Sequence, residues 1–136
     1  EGFCRNNLIV FFHSGKDLAF MEYDNASPAR MEKVIRKFPE MKIVLAHMGA
    51  YRQWDEVLKE LCGLNVYFET SFILEHAGEA KFLEIAEAHP VDKILFGTDS
   101  PWTDQSKAIE LIKKTQIEKD NLDKIMHSNF ENLLSK

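Results

Sequence analysis

Four short apolar runs constrain the fold of this chain more than any other feature: Leu8 to Phe12, Ile43 to Ala46, Val66 to Phe68 and Ile94 to Phe96. Each is continuously apolar rather than alternating, and Val, Ile and Phe recur in them. Segments of that length and character read as strands buried on both faces, the habit of parallel sheets covered by helices.

Helical patterns of the expected size lie between them. Ser27 and Pro28 form an N-cap and first-turn pair, after which Met31, Val34, Ile35 and Phe38 repeat at helical spacing up to the stop at Pro39. Trp54, Val57, Leu58 and Leu61 mark a second helix, which Gly63 can end in a left-handed conformation. Phe82, Leu83, Ile85 and Ala86 mark a third, ending before Pro90, and Ala108, Ile109, Leu111 and Ile112 mark a fourth. The tail from Asn121 to Leu134 supplies one or two further helical turns.

Strand and helix thus alternate four times, which implies right-handed βαβ units and a parallel sheet. The competing architecture is the open doubly wound sheet, but its usual glycine-rich phosphate turn is absent, since neither GxGxxG nor GxxxxGK(S/T) occurs. A complete (β/α)8 TIM barrel needs roughly 250 residues. The expected fold is therefore α/β, with four βα units forming about half of such a barrel, as a single partial domain over residues 1–136. The chain opens at Glu1 without an initiator Met and the first strand pattern starts at Leu8, as expected for part of a longer polypeptide.

Composition narrows the partners. Lys and Arg total 17 against 22 Asp and Glu, a net charge of -5 with no cationic stripe to neutralise a phosphate backbone, so nucleic acid is not expected. No apolar run approaches the ~18 residues of a membrane span and no signal-peptide layout is present, so a cytoplasmic address is expected and a membrane is not. Cys4 and Cys62 match no thiol metal motif and are too few for a disulfide framework, so both are expected as free thiols.

Polar residues follow the apolar runs at matching points: His13 after LIVFF, His47 after IVLA, Ser71 after VYFET and Asp99 after ILFGT. Each falls at a strand's C-terminal end, the rim where parallel α/β folds bind ligands, so these side chains are expected to converge in space. Two imidazoles and a carboxylate suit a divalent ion such as zinc. Such an ion lowers the pKa of a bound water from about 15.7 to about 7. Asp99 is then a candidate general base and His47 a candidate donor to an oxyanion or leaving group.

Simpler readings stand beside these. Each histidine alone could be a hydrogen-bonded structural residue, and Asp99 could cap the following helix. Trp102 is a candidate pocket wall that contacts substrate, with packing on a neighbouring loop as its alternative. Glu69 is a second acid candidate if its strand turns it inward with Ser71. His76, His89 and His127 fall on or beside helices and loops and are expected to be solvated. The glycines after His13 and His47 read as backbone devices for tight turns.

Taken in order, FFHSG at 11 to 15, KFPEMKIVLAHMGA at 37 to 50, NVYFETS at 65 to 71, ILFGTDSPW at 94 to 102 and IMHSNFENLL at 125 to 134 closely resemble the amidohydrolase superfamily. The nearest branch is similar to the amidohydrolase-related, metal-dependent hydrolases that include aminocarboxymuconate semialdehyde decarboxylase-like enzymes. The resemblance covers essentially the whole chain. It implies that His13 is the metal-ligating histidine of the fifth barrel strand and that His47 is the sixth-strand histidine acting in catalysis or supporting the ligands. It further implies that Asp99 is the eighth-strand aspartate that binds the metal or its water and serves as acid and base. Asn129 and the leucines after it match the family's closing helix, with a structural role. The His-x-His pair of the family's first strand is missing, along with strands one to four, so another segment or chain would have to complete the metal site.

Three functions follow as expectations. The first is a metal-dependent hydrolase, with zinc as the expected ion, cleaving C–O or C–N bonds of a small molecule through a metal-activated water. The second is a metal-dependent decarboxylase using the same site. The third is a truncated, non-catalytic barrel module. Half a barrel exposes two strand edges and an apolar face, so the chain is expected to need the N-terminal half-barrel or to self-associate.

Overall fold

Each apolar run is a strand: β1 (Ile9–Phe12), β2 (Lys42–Leu45), β3 (Tyr67–Glu69) and β4 (Ile94–Leu95). The computed structural model describes all residues other than Glu1, Leu18, Met21, Asp24 and Lys136, and all of their side chains other than that of Cys4. A single turn, α1 (Gly2–Arg5), precedes β1. Helix α2 (Pro28–Lys37) joins β1 to β2, α3 (Trp54–Glu60) joins β2 to β3, and α4 (Ile73–His76) with α5 (Gly78–Ala88) joins β3 to β4. After β4 come α6 (Gln105–Lys113), α7 (Lys119–Asp123) and α8 (Asn129–Ser135).

All strand pairs are parallel, and their spatial order β1-β2-β3-β4 is the order of the chain. That order separates the two architectures: a doubly wound sheet reverses direction at a switch point, whereas a barrel adds strands in sequence. The sheet is a run of barrel staves, with its three helical connections and the helix after β4 at the predicted positions.

The two sheet faces are unlike. Val10, Phe12, Ile43, Leu45, Phe68 and Ile94 point to the helical side and pack with Met31 and Ile35 of α2, Val57 of α3, Phe82 and Ile85 of α5 and Ile112 of α6. Side chains of this size contribute about 1.5–3 kcal/mol each on burial, so this layer carries most of the stabilisation. On the opposite face Val44, Tyr67 and Leu95 form a smaller cluster with Leu133 of α8 and the half-buried Ile9. Phe11, in register with Val44 on that face, is 57% exposed. Among the described residues, β1 and β4 are the outer strands of the sheet.

The helix ends follow their sequence signals with one exception. Ser27 sits at the N-cap of α2 with Pro28 in the first turn, but its hydroxyl makes no capping bond; its carbonyl accepts from the backbone N–H of Met31 instead. Helix α6 is capped by Asp104, which accepts from Lys107 N at 2.9 Å, and this removes the capping role considered for Asp99. Between α7 and α8 the helix widens into a π turn over Lys124–Ser128, where Ile125 O accepts from Phe96 N just past β4. Buried Asn129 donates to Val91 O and Ile94 O at 2.7 and 2.8 Å, so the closing helix fixes the start of β4.

His89 corrects the expectation that it is solvated. It is 3% exposed, stacks on Phe68 with centroids 4.1 Å apart, and bonds through its two ring nitrogens to Gly63 N and Val66 O. Burial pushes its pKa down to about 4, so it is a neutral core residue. His127 is exposed, as expected. Cys62 is a free thiol; the side chain of Cys4 lies outside the described part of the structure. Among the described residues, no helix is long and apolar enough to cross a membrane.

Candidate active site

Beyond the last paired residue of each strand the backbone keeps bonding sideways, and this knits the rim together. Ala46 N donates to Phe12 O, Tyr51 N to Ser14 O, Lys16 N to Tyr51 O, and Thr70 N to Leu95 O. The buried Ser14 hydroxyl donates to Ala46 O at 2.9 Å. Gly15 makes the turn after His13 possible: its φ is +87°, and a Cβ there would lie 2.2 Å from Tyr51 N. His47 and Asp99 also have left-handed backbones, with φ of 60° and 52°. His and Asp enter that region more readily than most side chains, and residues held there gather at functional sites.

His47 is held from every side. Its carbonyl accepts from the Trp54 indole at 2.9 Å, and its backbone N–H donates to Glu69 Oε2 at 3.3 Å. The ring stacks on Phe72 with centroids 4.9 Å apart and an interplanar angle of 13°, and Tyr51 meets it edge-on at 5.8 Å. His47 Nδ1 lies 2.8 Å from Ser71 Oγ, and Nε2 lies 3.0 Å from Nδ1 of His13. Burial, followed by the neighbouring His13 and His76, lowers its pKa to about 4, so at neutral pH it is uncharged.

Glu69 does turn inward with Ser71. Its Oε1 accepts from Ser71 N at 3.0 Å, and its Oε2 lies 2.6 Å from Ser71 Oγ. The carboxyl occupies the space that Gly97 leaves open, where a Cβ would stand 1.8 Å from Oε1. Burial pushes the pKa of Glu69 up; the hydrogen bonds from Ser71 and His47 oppose that rise, and the charge of Asp99 adds to it.

In front of this buried pair lies a cavity of about 580 Å³, whose lining includes His13, His47, Tyr51, Phe72, Asp99 and Trp102. That volume suits a small molecule. His13 and Asp99 are exposed within the chain, and Trp102 is 81% exposed at the cavity's edge. Lys16 and His76 line it too. His76, although solvent-exposed as expected, thus faces the same space as His47. Its helix α4 is tied to the segment after Asp99 by Glu75, which accepts from Thr103 at 3.2 Å and pairs with Lys107 at 2.7 Å. The hydrogen bond from Lys107 is the main reason Glu75 sits below its ordinary pKa.

The donor set has the chemistry of a divalent-ion site, with imidazole nitrogen from His13 and carboxylate oxygen from Asp99. Among the described residues, however, no three His, Cys, Asp or Glu side chains are grouped closely enough to hold an ion by themselves.

An amidohydrolase family model matches residues 3–135. The chain belongs to the amidohydrolase family. No curated protein matches the sequence of this amidohydrolase chain. Among solved structures it is similar to an uncharacterised TIM-barrel protein from Bordetella bronchiseptica, with a TM-score of 0.77 and 23% identity over 98% of this chain and 48% of that one. A dihydroxybenzoic acid decarboxylase from Polaromonas, solved with manganese and the inhibitor 2-nitroresorcinol, gives 0.70 and 18% over 98% and 51%. A proposed 2-pyrone-4,6-dicarboxylic acid hydrolase from Pseudomonas putida gives 0.68 and 16% over 97% and 53%. The amidohydrolase chain thus spans about half the length of the structures it matches, and its fold is that of a partial TIM barrel.

The sequence of this amidohydrolase chain does not mark Lys16, Asp17, Tyr51 or Phe72 as cavity residues, and it marks His76 only as a solvated residue. Lys16 follows the Gly15 turn, and no periodicity marks it. His76 sits on a helix of 4 residues, too short to show a helical repeat. The left-handed Phe72 that starts that helix, φ 65°, has no signature in its residue type either.

Proposed function

We propose that this chain carries the acid–base side of the active site of a metal-dependent amidohydrolase-family enzyme acting on a small molecule. The observation that supports it is the meeting of His13, His47 and Asp99, from three separate strand ends, on one cavity at the C-terminal rim of the sheet. His13 and Asp99 would hold a divalent ion together with donors from outside these four strands, supplied by an N-terminal half-barrel or a second chain. When bound, such an ion acidifies water and polarises a substrate oxygen.

The chain's own groups divide the remaining work. Asp99, exposed to the cavity, takes a proton at its carboxylate and returns it. Buried, uncharged His47 bonds through its two ring nitrogens to Ser71 and His13, and so supports His13 from behind without adding a charge to the site. Trp102 and Phe72 offer apolar surface to the body of the substrate, and Lys16 a positive charge to an acidic substituent.

Hydrolysis is the first reading and decarboxylation the second; the second is favoured by the manganese-bound decarboxylase among the similar structures. Turnover of small aromatic carboxylates and ring esters by the full-length protein in ¹⁸O-labelled water separates them. Hydrolysis places the label in the product acid, and decarboxylation releases carbon dioxide and places no label in the organic product. The 136-residue chain alone is expected to give neither. A full-length protein inert toward both classes would count against the enzymatic reading.

A further inference from the structure

The contacts behind His47 form a line of hydrogen bonds whose direction is set at its buried end. Glu69 is 7% and Ser71 3% exposed, so neither side chain exchanges its partner for bulk water. Each oxygen of Glu69 already accepts a backbone N–H, Oε1 from Ser71 and Oε2 from His47, and Oε2 lies 2.6 Å from the Ser71 hydroxyl oxygen. That separation falls in the range of a hydroxyl donating to an ionised carboxylate. Ser71 has one proton to give. If it goes to Glu69, Ser71 Oγ faces Nδ1 of His47 at 2.8 Å as an acceptor, and Nδ1 must carry hydrogen. Nε2 of His47 then has a lone pair and accepts from Nδ1 of His13 at 3.0 Å. The opposite direction would be imposed from the far end only by His13 donating to Lys16 O, but that contact is 3.3 Å long and exposed, the weakest in the line.

We propose that Glu69 and Ser71 are positioning residues that hold His47 in its Nδ1–H tautomer and, through it, present the unprotonated Nε2 of His13 to the cavity. The ring nitrogen left without hydrogen is decided by the bond the other one makes. The arrangement is built into the fold: Gly97 provides the space for the Glu69 carboxyl, and Phe72 and Tyr51 confine the His47 ring to one plane. This inference rests on the ligand role of His13 proposed above, to which it adds the residues that set its ring through His47.

The direct test is ¹⁵N NMR of the histidine rings in the full-length, metal-free protein at neutral pH. In the wild type, His47 Nδ1 is expected at the shift of a protonated nitrogen and Nε2 at that of an unprotonated one. Ser71→Ala removes the acceptor and should move the His47 proton to Nε2, while Ser71→Thr, which keeps the hydroxyl, should retain the wild-type pattern. In the assay, Ser71→Ala should lower kcat by about 10–100-fold, the usual effect of losing a partner behind a site residue, with KM little changed and most of the loss restored by Thr. Hydrogen on Nε2 of His47 in the wild type would overturn the proposal, as would a Ser71→Ala spectrum with the Nδ1–H pattern intact. Because the tautomer is read in the resting protein, a failure to turn over any substrate would count against the enzymatic reading and leave this result standing.

Discussion

Replacing Asp99 by Asn is expected, on the acid–base role proposed for it, to lower turnover of the full-length protein by about 10²–10⁴-fold, the range associated with losing a positioned acid–base group. Asn is the informative replacement for a backbone reason. Position 99 has a φ of 52°, and Asn is one of the few residues besides glycine and Asp that adopts this region readily. The side chain is exposed and does not cap α6, whose cap is Asp104, so no structural hydrogen bond of that helix is lost. The melting temperature should therefore stay close to wild type while kcat falls. Asp99→Ala would mix the two effects by adding backbone strain. Turnover of Asp99→Asn within twofold of wild type would remove Asp99 from the chemistry.

The largest stability effect is expected at Gly15. Its φ of +87° disfavours any side chain, and an added Cβ would stand 2.2 Å from Tyr51 N, 2.4 Å from Tyr51 O and 2.6 Å from the carbonyl carbon of Ala50. Those are backbone atoms that cannot swing aside. The same residues make the bridge between Gly15 and Tyr51 that closes the rim beside His13. Gly15→Ala should combine left-handed strain with overpacking and cost about 3 kcal/mol or more. Gly63 supplies the comparison: its φ is +82°, but nothing lies within 4 Å of a Cβ there, so Gly63→Ala should cost only the strain, about 1–2 kcal/mol. Urea denaturation of the two variants separates the contributions. Equal losses at both positions would show that the Tyr51 contact is not rigid.

Much of the fold was legible in the sequence because continuous apolar runs and helical repeats are local signals. The runs at Ile9, Ile43, Tyr67 and Ile94 are strands, and Pro39, Gly63 and Pro90 stand at the ends of helices as their chemistry requires. The candidate site was legible in part, since a polar residue directly after a buried strand has little choice but the rim. What the sequence did not carry is tertiary. His89 looks like a loop histidine until Phe68 is placed beneath its ring and Val66 O beside it. The inward direction of Glu69 depends on the absence of a side chain at Gly97, 28 residues away in sequence. His76 reaches the cavity on a helix of 4 residues whose first turn starts from a left-handed Phe72. None of these has a periodic signature.

The half-barrel character links fold to function. Phe11, 57% exposed on the face that also carries Val44, lies on an outer strand of the sheet, where a barrel would place its next stave. On the proposed function, the same staves would bring the further donors of an ion held by His13 and Asp99. Burial of that face and completion of the coordination sphere would then be one event, on which metal content reports.

Elemental analysis of the full-length protein as isolated, beside a His13→Ala variant, tests the account most directly. His13 is exposed, so its removal should spare the fold. The account predicts about one divalent ion per wild-type chain and a clear loss of metal in the variant, on the general requirement of such ions for their imidazole and carboxylate donors. A wild-type protein without metal, or a variant that retains the full complement, would contradict it.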